Sequence, residues 1–98
     1  MIKVKRGVTP KILVIAAAAA NANHGLGFDV IITSGTDGKH MVGSKHYVGQ
    51  ALDFRTKYEG VDQTVVDLWI KRFSDRLGPD YQVIREVDHL HVEWDSKP

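Results

Sequence analysis

Apolar positions along the 98-residue chain change their period several times, and each change marks an element. From residue 62 to 77 the apolar side chains Val66, Trp69, Ile70, Phe73 and Leu77 fall at i, i+3, i+4, i+7 and i+11. That spacing is one stripe of an amphipathic helix, and Gly78-Pro79 terminates it. Trp69 and Phe73 are assigned to the core, while the charges between Lys71 and Arg76 form the solvated face. Nearer the amino end, residues 12–20 are apolar and include five consecutive alanines, Ala16 to Ala20. Thr9-Pro10 reads as an N-cap with Pro at the first helical position, and His24-Gly25 as a stop, so a helix is expected over this run. Alanines favour helix and let it lie close against a sheet. A cleaved secretory signal is the alternative, because Lys3, Lys5 and Arg6 precede the run and Ala20-Asn21-Ala22 has the small-x-small form. Nine apolar residues are too few to span a bilayer, which takes about 20.

The remaining segments read as strands. Residues 28–33 (FDVIIT) are β-branched and apolar, as a largely buried strand would be, and residues 50–55 make a second. A hairpin is expected from strands at 81–85 and 89–94 around a turn at Val87-Asp88, with Ser96 to Pro98 frayed. Between the first two strands, residues 34–44 (SGTDGKHMVGS) contain three glycines and no periodicity, which reads as a long loop of the kind that carries ligands. The order α-β-loop-β-α-β-β predicts one small α+β domain spanning residues 1–98. Its antiparallel sheet of about four strands should be covered by two helices on one face.

Composition narrows the chemistry. The chain has no cysteine, which removes disulfides, thiolate metal sites and cysteine nucleophiles and leaves metal ligation as the available cross-link. Thirteen basic against twelve acidic residues is too balanced for a protein that lives on polyphosphate contacts, so nucleic acid is not an expected partner. Attention falls on the five histidines. His46 and Asp53 are seven residues apart, roughly 23 Å on a single extended strand, so they share an ion only if a turn intervenes. Gly49 can supply that turn, and Ala51 is small enough for tight packing beneath the site. His89 and His91 are two apart on one strand and project to the same face, where one can ligate and the other support. Glu93 shares that face and reads equally as a partner of His91 or as a surface ion pair, whereas Trp94 alternates away into packing. His24 has no evident partner.

The pattern Ser44-x-His46-x-x-Gly49-x-Ala51-x-Asp53, followed by His89-x-His91, resembles the zinc D-alanyl-D-alanine carboxypeptidase family. Its relatives include phage L-alanoyl-D-glutamate endopeptidases and the hedgehog signalling domain. The resemblance covers residues 31–94 and implies a hedgehog/DD-peptidase-like fold with one zinc ion held by His46, Asp53 and His91. It further implies a zinc metallopeptidase that hydrolyses peptidoglycan stem peptides, a metal-activated water attacking the carbonyl. Asp88, three residues before the last ligand, becomes the general base, and His89 stabilises the oxyanion or orients a ligand. Glu86 is the competing acid. Many members carry an arginine after the Ser-Gly that ends a strand. Here Ser34-Gly35 leads to Thr36-Asp37-Gly38-Lys39-His40, so Lys39, His40 or Arg55 must take over substrate handling, with Ser44 pinning the loop.

Two neutral imidazoles and one carboxylate agree with that chemistry, because they leave the ion positively charged with an open position. A phage-type endolysin and a non-catalytic zinc-binding recognition module are the alternatives. The enzyme is expected to be a monomer with no membrane span. It is expected to be made in the cytoplasm and to act at the bacterial cell wall, with secretion through an amino-terminal signal as the other route.

Overall fold

The computed structural model describes residues 10–34 and 51–94, which form two helices and one four-stranded antiparallel sheet, an α+β arrangement. In chain order the elements are α1 (Pro10–Ala22), β1 (Ile32–Ser34), β2 (Ala51–Arg55), α2 (Gln63–Leu77), β3 (Tyr81–Arg85) and β4 (His89–Trp94). The strands lie in the order β1-β2-β4-β3, so β2 and β4 are central.

Helix α2 follows its sequence pattern closely. Asp62 caps it by accepting a 2.9 Å hydrogen bond from the Thr64 amide, and Gly78, at φ 81°, ends it in a conformation that costs a side chain little only when there is none. Val66, Trp69, Phe73 and Leu77 are buried, with Ile70 packed at their edge. Trp69 and Phe73 meet Phe54 of β2 at centroid separations of 5.9 and 5.1 Å, both edge-on. Each such pair adds roughly 0.5–1.5 kcal/mol beyond its area burial.

Helix α1 starts at Pro10 and stops in a turn at Gly25, where φ is 76°. It buries Ile12, Ile15, Ala18, Ala19 and Ala22. The alanines act chiefly against α2 rather than the sheet: the Trp69 indole Nε1 donates to the Ala19 carbonyl at 3.0 Å, in a buried contact. The same carbonyl also accepts the Asn23 amide at 3.2 Å, so the indole uses its second lone pair and ties α1 to α2.

Residues 28–33 depart from the strand expected of them. Only Ile32–Ser34 joins the sheet, and Ile32 is 49% exposed. Phe28 instead turns into the core against Tyr58 (4.9 Å) and Trp69 (5.7 Å), which places the preceding chain off the sheet. Ser34, assigned to the loop by composition, is the last residue of β1 and lies opposite Asp53 across a register shift. The hairpin matches its expected bounds, and the Glu86 amide donates to the His89 carbonyl at 2.9 Å to close it. Lys11 sits 4.5 Å over the ring of Trp94, in keeping with a packing role for that side chain. The Thr9 cap, residues 35–50 and the terminal Ser96 to Pro98 lie outside the described residues.

Candidate functional site

Alternation along the two central strands divides chemistry from core. Leu52 and Phe54 of β2, opposite Val92 and Leu90 of β4, are buried beneath the helices. The intervening positions pair Ala51 with Glu93, Asp53 with His91 and Arg55 with His89, so their side chains share the face away from the helices. A one-residue slip between β2 and β4 would send Asp53 into the core; the apolar pairs that prevent it also set the register of the site.

Asp53 and His91 are therefore direct cross-strand partners, with Asp53 Oδ1 2.8 Å from His91 Nδ1. Both side chains are mostly covered, at 17% and 19% exposure. On its other edge, His91 Nε2 lies 2.9 Å from Glu93 Oε1. A neutral imidazole has one N–H and one lone pair, so it can donate to only one of two carboxylates. The remaining contact sets a lone pair against a carboxylate oxygen, an unfavourable approach that a metal ion bound by both groups would relieve. Imidazole nitrogen and carboxylate oxygen are both zinc donors at about 2.0–2.2 Å, which puts two ligands of one tetrahedral ion about 3.3 Å apart. A spacing of 2.8 Å is within a small side-chain adjustment of that value. Asp53 and His91 thus have the chemistry and spacing of two of an ion's donors.

Asp53 and His91 make two donors. Among the described residues no group of three His, Cys, Asp or Glu side chains could hold a metal. His46, the third ligand expected from the motif, lies outside them, as do Ser44, Lys39 and His40.

Asp88 is in the turn before β4, 81% exposed, and its Oδ1 is 2.8 Å from His89 Nδ1. The hydrogen bond lowers the pKa of Asp88 from its ordinary carboxylate value. The same bond raises that of His89, with Asp53, Asp88 and Glu86 charges adding to it against partial desolvation. This acid–imidazole pair was not expected from the sequence, which assigned the two residues separate tasks. The available signal was their position: Asp88 precedes the strand, so its side chain escapes the alternation that would have sent it to the opposite face. Arg55 is exposed opposite His89, its guanidinium 6.0 Å from the Tyr58 ring centroid, and has no carboxylate contact among the described hydrogen bonds. Glu86 is exposed at the hairpin's end. The structure thus gathers Asp53, Arg55, Asp88, His89, His91 and Glu93 at one region of the sheet.

No protein-family model matches this chain, and no curated protein or solved structure shows significant similarity to it.

Proposed function

We propose that the protein is a zinc metallopeptidase acting on peptidoglycan stem peptides, of the D-alanyl-D-alanine carboxypeptidase type, with a hedgehog/DD-peptidase-like fold. The observation that carries this reading is the 2.8 Å approach of Asp53 and His91 across the two central strands, with the motif's spacing around it. His46, Asp53 and His91 would hold the ion. When bound, zinc supplies a Lewis acid that polarises a peptide carbonyl and brings the pKa of water to about 7.

The chain's own groups do the rest. Asp88, ionised throughout the neutral range, accepts the proton of the attacking water and returns it to the leaving amine, a role typically worth about 10²- to 10⁴-fold. His89 orients the Asp88 carboxylate through their hydrogen bond and offers a ring N–H toward the developing oxyanion. Arg55, at the end of β2 and on the same face, would hold a substrate carboxylate in place of the arginine that many members of the resembled family carry.

The test is digestion of purified muropeptides by the wild type, Asp88→Ala and His46→Ala, with zinc content measured alongside. The wild type is expected to release D-alanine. Asp88→Ala should keep zinc and lose about 10²- to 10⁴-fold in rate, and His46→Ala should lose both zinc and activity. Release of shorter stem fragments in place of D-alanine would make the protein an endopeptidase. A wild type that holds one zinc yet releases neither product overturns the enzymatic reading in favour of a recognition module.

A further inference from the structure

We infer that Glu93 is a positioning residue that decides which nitrogen of His91 is offered to the metal. The inference deepens the zinc reading and rests on it for the identity of the ligand, though not for the geometry. His91 stands between two carboxylates on opposite edges of its ring, Asp53 at Nδ1 and Glu93 at Nε2, at 2.8 and 2.9 Å. His91 and Glu93 are i and i+2 on β4 and share a face, and Glu93 lies opposite Ala51, whose small side chain leaves the carboxylate room to fold back along the strand. Its side chain is only 17% exposed, so the contact is shielded from water that would otherwise compete for it.

The two carboxylates call for opposite tautomers of the ring. If Nε2–H donates to Glu93, the Nδ1 lone pair faces Asp53, and the pair becomes two adjacent donors directed at one ion. The opposite tautomer donates Nδ1–H to Asp53 and leaves no lone pair on that side. Glu93 therefore selects the ligating tautomer and fixes the ring about its axis, as outer carboxylates do for metal-bound histidines. Glutamine can accept the same N–H through its carbonyl oxygen, while alanine cannot.

The experiment uses the full chain in three forms: wild type, Glu93→Gln and Glu93→Ala. Long-range proton–nitrogen correlation spectra of the metal-free proteins, recorded at a pH where free imidazole is neutral, report the tautomer of His91, assigned with His91→Ala. The expected result is Nε2–H in the wild type and Glu93→Gln, and a shift toward Nδ1–H in Glu93→Ala. Zinc titration should show affinity falling about 10- to 100-fold in Glu93→Ala and largely restored in Glu93→Gln. A Glu93→Ala protein with the wild-type tautomer and affinity overturns the inference. If the wild type takes up no zinc at all, the zinc reading falls, and the spectra still decide the role of Glu93. Glu93→Gln is nearly isosteric, so it keeps the test meaningful if the alanine variant does not fold.

Discussion

Asp88 and His89 are neighbours in sequence whose side chains meet because one belongs to a turn and the other to a strand. Their hydrogen bond has a definite pH range. Asp88, its pKa lowered, contributes above the ordinary carboxylate value, and that contribution is lost as pH falls through the lowered pKa. His89, its pKa raised, contributes fully below the ordinary histidine value, and that contribution is lost as pH rises through the raised pKa. The pair is complete between the two ordinary values and survives somewhat beyond each. In the metal-free protein, proton NMR of His89 should therefore show a titration midpoint above that of free histidine, and Asp88→Asn should bring it down. An unchanged midpoint in Asp88→Asn would show that the contact does not govern His89.

Elements hold the site in register, and Phe54 is their common point. It is fully buried on β2 next to Asp53 and packs edge-on against both Trp69 and Phe73 of α2. Phe54→Ala is expected to cost about 3–5 kcal/mol in denaturant unfolding. By contrast, the Arg85–Asp67 pair joining β3 to α2 is about half exposed on both sides, and Arg85→Ala should cost under about 1 kcal/mol. If the two variants unfold alike, the aromatic cluster is not what anchors β2. Helix α2 and the hairpin were legible in the sequence because a period of 3.6, a Gly stop and a strict alternation at 89–94 all act locally, whereas the Asp62 cap emerged only from the structure. The first strand was not legible in full: 28–33 has β propensity throughout, but Phe28 is drawn into an aromatic cluster with Tyr58 and Trp69, residues 30 or more positions away. Asp53 and His91 were candidates through the motif's resemblance to the zinc carboxypeptidases, whereas their 2.8 Å approach depends on a cross-strand register that only the packed sheet supplies.

Across the whole molecule, a chain of 98 residues buries only about two thirds of the surface its unfolded form exposes, and it has no cysteine to brace it. The described residues contain no helix long and apolar enough to cross a membrane. An ion that joins β2 to β4 would brace the centre of the sheet as well as serve chemistry. At a free zinc concentration 100-fold above Kd the gain is about 2.7 kcal/mol, which in a domain this size raises Tm by roughly 10 °C or more. Calorimetry with zinc and then with a chelator should show that rise and its reversal. A Tm indifferent to both would exclude a metal that stabilises the native state.

The claim on which the rest depends is that Asp53 and His91 are two ligands of one metal site. Equilibrium dialysis against zinc, with bound metal measured by mass spectrometry for the wild type, Asp53→Ala and His91→Ala, tests it most directly. One zinc per wild-type chain, and loss of at least tenfold in affinity in each variant while both remain folded, is the predicted result. Zinc retained at wild-type affinity by either folded variant, or no zinc taken up by the wild type, would contradict it.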